Sequence, residues 1–216
     1  MEFEYINNIY NTEFTNKLLE NKKIFYEIYE ACGNKFMHGC GSYLFDGSVY
    51  KYCDLMYEKQ ELLYNSVKNV KNVLEIGTYM GHSLLIMLLS NPDLKITCID
   101  ISNEYTFPAV TILNKYFNNA IKFIHGDSLS ILEKIEYKFD FFHIDGHHED
   151  SYIQKEFDMI KTMSSNPILK VMFDDADCLT LLVNKIRTQC EIVTDIRPEC
   201  AWTNIYFELK DSGIYL

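Results

Sequence analysis

The sequence predicts an α/β fold, a doubly wound and mostly parallel sheet with an antiparallel pair at its C-terminal edge, preceded by N-terminal helices. Three observations carry this. Five short apolar runs, "NVLEI", "KITCID", "IKFIHG", "FDFFHID" and "ILKVMFDD", follow one another from Asn72 onward. Between them lie segments of roughly ten to twenty residues, the length a right-handed crossover helix requires. Two further runs, "CEIVTDI" and "TNIYFELK", stand too close for a helix and must pair antiparallel around "RPEC", Arg197 to Cys200.

Each element has its own signal. From Thr15 to Cys32, "TNKLLENKKIFYEIYEAC" sets Leu18, Leu19, Ile24, Phe25, Ile28 and Tyr29 at helical spacing, which predicts one amphipathic helix. "GNKFMHGCGSYLFDGSVYKYC" follows, with Gly33, Gly39, Gly41, Gly47 and several aromatics but no period, and is expected to be a loop or lid. A second helix is predicted from Asp54 to about Lys68. The chain divides at that point into residues 1–53, a helix and loop, and residues 54–216, the α/β domain. The five strands are apolar almost throughout, as strands covered by helices on both faces must be.

The totals bound the function. A chain of 216 residues supports one domain with a full core. Its net charge of -11 repels nucleic-acid backbone and anionic membrane and favours a small ligand. The seven cysteines are odd in number and form no C-x-x-C pair, which suits free thiols in a reducing compartment. Cys32, Cys40 and Cys53 lack zinc-finger spacing. The N-terminus lacks the basic start and apolar stretch of a secretory signal, and the longest apolar run, Leu84 to Leu89, is too short to span a bilayer. The expectation is a soluble, cytoplasmic protein with no nucleic-acid and no membrane partner.

In an open parallel sheet, ligands bind beyond the carboxyl ends of the strands. Here the ends carry Glu75-Ile-Gly77, Asp100, His125-Gly126-Asp127, Asp145-Gly146-His147-His148 and Asp174-Asp175. Any one of these is an ordinary cap or turn. Five at successive strand ends point to a site. Glu75 beside the turn disfavours a phosphate, and Gly77 and Gly81 are four apart, without the G-x-G-x-x-G spacing of a dinucleotide site.

In order, "LEIGTYMGHS", "CID", "HGDS", "HIDGHH" and "FDD" resemble the class I S-adenosylmethionine-dependent methyltransferases. More narrowly, they resemble the metal-dependent O-methyltransferases that include catechol, caffeoyl-CoA and bacterial sugar enzymes. The resemblance runs from about Asp54 to the C-terminus. It implies a Rossmann-like sheet of order 3-2-1-4-5-7-6 with S-adenosyl-L-methionine as cofactor. Gly77 and Gly81 would let the first turn approach the methionine part, Glu75 would organise that turn and accommodate the cationic end, and Ser83 would reach the carboxylate. Asp100 would accept from both ribose hydroxyls, Asp127 would meet adenine, and Asp145 would border the cofactor. A divalent cation, Mg²⁺ or Mn²⁺ ahead of Ca²⁺, would be held by Asp145, Asp174 and Asp175, with Asp177 as a supplement. It would activate a hydroxyl of a small-molecule acceptor, a sugar or a catechol-like ring, with Gly41 to Tyr52 as part of the substrate wall. His147, with His148 close behind, stands where related enzymes place a general base. His143, two residues before Asp145, is a weaker zinc candidate. Two rivals stay open: a non-catalytic methyltransferase-fold binding or stimulatory subunit, and an aminopropyltransferase of the same fold. A homodimer is compatible with the N-terminal helix and with the C-terminal "DSGIYL".

Overall fold

A computed structural model describes Phe3 and residues 6–210; "DSGIYL" lies outside the described residues. The strands are β1 (Asn72–Ile76), β2 (Lys95–Asp100), β3 (Ile121–His125), β4 (Phe141–Ile144), β5 (Ile168–Phe173), β6 (Glu191–Ile196) and β7 (Ile205–Lys210). They form one sheet of order β3-β2-β1-β4-β5-β7-β6. β3 to β5 are mutually parallel neighbours through β2, β1 and β4, whereas β7 runs antiparallel to both β5 and β6. The order reverses between β1 and β4, so the carboxyl ends of β1, β2 and β4 open one crevice.

At the N-terminus the expected single helix is two. α1 (Ile6–Ile9) precedes α2 (Glu13–Glu20) and α3 (Lys22–Ala31). The break falls at Asn21, whose Nδ2 donates to the Lys17 carbonyl at 2.9 Å. A short polar side chain that competes for backbone acceptors in this way ends a helix more readily than it continues one. The helix expected from Asp54 begins as a 3₁₀ turn (Asp54–Met56) and becomes α4 (Tyr57–Ser66).

α5 (His82–Ser90) is buried on every side from His82 to Leu89, because it lies between the sheet and a second layer made by α2 and α4. A helix apolar all round requires cover on both faces. The segment between α3 and α4 is irregular, as expected, but its aromatics belong to the core. Tyr43, Leu44, Phe45, Tyr50 and Tyr52 are buried, and Tyr50 stacks between Phe25 and Tyr29. Tyr50 donates to the Phe25 carbonyl and meets His82 Nε2 at 2.9 Å. Burial drives the His82 pKa down to about 3, so this imidazole is neutral. These rings therefore pack helices to sheet, while Met37, Cys40, Gly41 and Ser42 reach the crevice. On the sheet's other face α8 (Asp150–Ile160) and α9 (Thr180–Gln189) bury Ile153, Phe157, Leu182 and Ile186 against β4, β5 and β7.

Candidate active site

A cavity of about 580 Å³ opens at the carboxyl ends of β1 to β4, within the size range of small-molecule sites. Its floor is the turn after β1. Gly77 takes φ +78°, and a Cβ built there would lie 2.0 Å from the Asp145 carbonyl oxygen, so only glycine lets β1 pass the end of β4 this closely. Gly81, at φ +67°, opens α5.

Beneath this turn sits Glu75, fully buried. Its Oε1 accepts from Ser83 Oγ at 2.6 Å and pairs with His143 Nδ1 at 2.9 Å; its Oε2 accepts from Thr78 Oγ1 at 2.9 Å. His143 Nε2 lies 2.8 Å from the Tyr43 hydroxyl, to which Asn204 Nδ2 donates at 3.2 Å. Burial works against the imidazolium, but the Glu75 carboxylate outweighs it and raises the His143 pKa. Glu75, Ser83 and His143 thus form one buried polar chain under the turn. The resemblance's role of organising the turn fits Glu75, whereas the Ser83 hydroxyl is spent on Glu75 rather than turned to the cavity. Both His143 nitrogens are engaged, which leaves nothing for a metal.

Asp100 closes the turn from the β2 side. Its Oδ2 accepts from the Thr78 and Tyr79 amides at 2.9 and 2.7 Å and from Thr106 Oγ1 at 3.0 Å, while Oδ1 accepts from the Ser102 amide at 2.8 Å. It borders the cavity beside Ile101 and Ser102. The sequence marked Asp100 but not Thr78, Tyr79 or Thr106, whose part in holding it depends on chain that is distant in sequence.

At the far end, Asp127 caps α7 (Ser128–Leu132) by accepting from the Ser130 amide at 2.9 Å, and the Tyr152 hydroxyl donates to its other oxygen. Ser128 Oγ donates to Glu156 Oε1 at 2.5 Å. Glu156, on α8, borders the cavity although it is buried, and its Oε2 has no hydrogen-bond partner among the described residues. Burial raises its carboxyl pKa to about 7. A carboxyl whose folded pKa exceeds its unfolded value contributes stability at low pH that is lost as pH rises through the folded pKa. Wild-type protein is therefore expected to lose about 3 kcal/mol relative to Glu156→Gln between pH 4.5 and 8. Urea unfolding of both proteins across that range measures it, and parallel curves would refute the assignment.

The acceptor end differs most from expectation. Asp145 borders the cavity, as do His147 and His148. His148 lies between two carboxylates, its Nε2 3.6 Å from Asp145 Oδ1 and its Nδ1 3.3 Å from Asp175 Oδ2. The Asp145 contact raises its pKa against a smaller effect of burial. His147 turns outward, with Nε2 3.4 Å from Glu149 and its ring edge-on to Tyr152. Of the two histidines, His148 is the one held against the acidic strand ends.

Asp174 points away from the cavity. Lys59 of α4 donates to Asp174 Oδ1 at 2.8 Å, to Oδ2 at 2.9 Å and to the Trp202 carbonyl at 2.8 Å. The two side chains are 3% and 6% exposed, and the ammonium sits 4.5 Å from the Tyr43 ring centre. Burial, then the charge of Asp145, push the Asp174 carboxyl up, and Lys59 opposes them. Asp177, the expected supplement, is paired with Arg197. Asp145, Asp174 and Asp175 therefore do not fit a divalent cation as they stand, because both oxygens of Asp174 are occupied by an ammonium. No group of three or more His, Cys, Asp or Glu residues among the described residues is arranged to hold one.

The fold agrees with the comparisons. Residues 58–171 match the O-methyltransferase family. A caffeoyl-CoA O-methyltransferase of Zinnia elegans is 34% identical over 103 residues, covering 43% of this chain and 42% of that protein. One of Petroselinum crispum is 35% identical over 104 residues, 43% of each. The chain thus spans under half the length of the curated relatives it matches. Among solved structures, the O-methyltransferase from Bacillus cereus in complex with S-adenosylhomocysteine superposes with a TM-score of 0.68 at 14% identity over 96% of both chains. A Staphylococcus aureus structure described as a putative caffeoyl-CoA O-methyltransferase gives 0.59 at 20% identity over 70% of this chain and 82% of that one. With more than half of its length inside the family match, this chain belongs to the O-methyltransferase family.

Proposed function

We propose that the protein is an S-adenosyl-L-methionine-dependent O-methyltransferase acting on a hydroxyl of a small molecule, with sugars and catechol-like rings as the acceptor classes to screen. The observation that carries this is the turn after β1, with Gly77 pressed against the Asp145 carbonyl and Asp100 fixing the Thr78 and Tyr79 amides at the mouth of a cavity that ends in Asp145 and His148. The relatives named caffeoyl-CoA O-methyltransferase and a structural neighbour bound to S-adenosylhomocysteine support the same reading.

When bound, S-adenosylmethionine supplies a methyl carbon made electrophilic by a cationic sulfur. The residues of this chain do the rest. The Gly77 turn gives backbone-lined access for the methionine portion, and the carboxylates of Asp100 and Asp145 favour a cation over an anion in the cavity. His148 is placed to accept the proton that the acceptor hydroxyl must lose, because its 3.6 Å separation from Asp145 exceeds a hydrogen bond and leaves Nε2 a position to fill. Asp175, at Nδ1, orients the ring and stabilises the imidazolium that forms. His147, paired outward with Glu149, has no such support. A polyamine substrate would instead need unpaired carboxylates, and Asp174 and Asp177 are already paired with Lys59 and Arg197.

Calorimetric titration of S-adenosylmethionine and S-adenosylhomocysteine into the purified protein tests the cofactor. Micromolar binding is expected, weakened at least tenfold in Asp100→Ala; no binding of either would sink the proposal. With an acceptor found among catechols and sugars, His148→Ala is expected to lower kcat by about 10²- to 10⁴-fold with cofactor affinity kept, and His147→Ala by much less.

A further inference from the structure

We infer that Lys59 occupies the electrostatic position of a divalent cation at the ends of β4 and β5, so that this chain excludes the metal and works without it. The inference deepens the methyltransferase reading, on which activity without a metal rests. The exclusion of the metal stands on the geometry of the acidic cluster alone.

Three carboxylates, Asp145, Asp174 and Asp175, converge where β4 and β5 end. Such a cluster requires positive charge, which an oxygen-bound divalent cation or a protein cation can supply. Here the positive charge is built in. The Lys59 ammonium has three N–H donors, and all three are used on Asp174 Oδ1, Asp174 Oδ2 and the Trp202 carbonyl. Its position is fixed from several directions. The Tyr43 ring faces the ammonium, and the Tyr43 hydroxyl is tied to His143, so the cation is linked to the same polar chain that carries Glu75. Asn204 Nδ2 lies 3.3 Å from the Lys59 carbonyl and 3.2 Å from the Tyr43 hydroxyl, joining α4 to the start of β7.

A divalent ion ligated by Asp174 would have to displace this ammonium. The displaced group would stay buried, without its anion and beside a second cation. Lys59 has no exposed route by which to withdraw, since its side chain is 3% exposed. Without Asp174, the cluster is left with two carboxylates, Asp145 on the cavity wall and Asp175 behind His148. His148 stands between these two carboxylates, where an ion bridging them would sit.

The test is direct metal binding to the full chain after chelator treatment, with and without S-adenosylhomocysteine. Free Mn²⁺ is read by its electron paramagnetic resonance signal, and Mg²⁺ by calorimetry. Wild-type protein is expected to leave the Mn²⁺ signal undiminished into the millimolar range, and chelator is expected to leave methyl transfer unchanged. Lys59→Met, or Lys59→Gln if the first does not fold, is expected to gain a Mn²⁺ site at least tenfold tighter than wild type. Asp174→Asn added to it should remove that site. Stoichiometric Mn²⁺ binding to the wild type with a Kd below about 100 μM, abolished by Asp174→Asn, would overturn the inference. A folded Lys59 variant that gains no site would overturn the role given to Lys59. Failure of the wild type to bind S-adenosylhomocysteine would count against the proposed function alone.

Discussion

Lys59→Met is expected to lower the free energy of unfolding by about 3–5 kcal/mol, the usual cost of leaving one member of a buried ion pair behind. The ammonium and the carboxylate are both nearly inaccessible, so water cannot replace the lost partner. The deficit should depend on pH in a definite direction. Asp174 already has a raised carboxyl pKa through burial and the neighbouring Asp145, with Lys59 the main group holding it down. Without Lys59 the folded pKa rises further above the unfolded value near 3.8. A group raised in the folded state contributes stability that is present at low pH and lost as pH increases. The variant should therefore lie nearest wild type at about pH 3, below the unfolded value, where Asp174 is mostly protonated in both states, and fall away from it as pH rises towards about 8. Lys59→Met combined with Asp174→Asn removes both charges and should recover most of the loss, since an apolar or neutral replacement of a whole buried pair is often tolerated. Urea unfolding of the two variants at both pH values measures this. A single variant as stable as wild type at the higher pH would show that the pair is not buried as described.

The strands were legible because burial on both faces keeps them mostly apolar: "NVLEI" and "KITCID" become β1 and β2 within a residue of the runs themselves. Their order and the antiparallel edge followed from spacing and from the family resemblance. The turn was legible for a similar reason, since glycines four apart between an apolar strand and an apolar helix leave few alternatives. What was not legible was the fate of charges on helices. Lys59 in "YEKQELL" has the look of a solvated face, and nothing nearby says that Asp174, 115 positions on, will meet it. Glu156 in "QKEFDMI" reads the same way, yet it is buried against Ser128 at the cavity's end. The acidic strand ends were seen, but their counter-charge was assigned to an ion because the lysine that supplies it comes from a different layer of the fold. The aromatics of residues 41–52 were expected at a substrate wall. Without a period to show which face is buried, the sequence could not reveal that Phe25 and Tyr29 of α3 and His82 of α5 pack against Tyr50 and Phe45.

Gly77→Ala is expected to cost more than about 4 kcal/mol and to abolish cofactor binding, whereas Gly81→Ala, four residues on, should cost about 1–2 kcal/mol. Both glycines take positive φ, so both substitutions carry the left-handed penalty. They differ in what the new methyl group meets. At Gly81 it lies 3.2 Å from Leu113 Cδ1 and 3.5 Å from Ala109 Cβ, side chains that can shift by a few tenths of an ångström. At Gly77 it lies 2.0 Å from the Asp145 oxygen, 2.4 Å from the Asp145 carbonyl carbon and 2.6 Å from Gly146 Cα, all of them main chain. That main chain cannot yield locally. The Gly77 amide donates to the Ile99 carbonyl at 2.9 Å and the Asp145 amide donates to the Ile76 carbonyl at 2.7 Å, so relief requires the β1 and β4 ends to separate and their hydrogen bonds to lengthen. The same movement displaces Asp145, Gly146 and the following histidines from the cavity wall, which is why binding and stability should fall together. Chemical denaturation and calorimetric titration of S-adenosylhomocysteine on the two variants separate the cases. A Gly77→Ala protein with a stability loss no larger than that of Gly81→Ala would mean that β1 and β4 do not approach this closely, and the account of the turn would have to be abandoned.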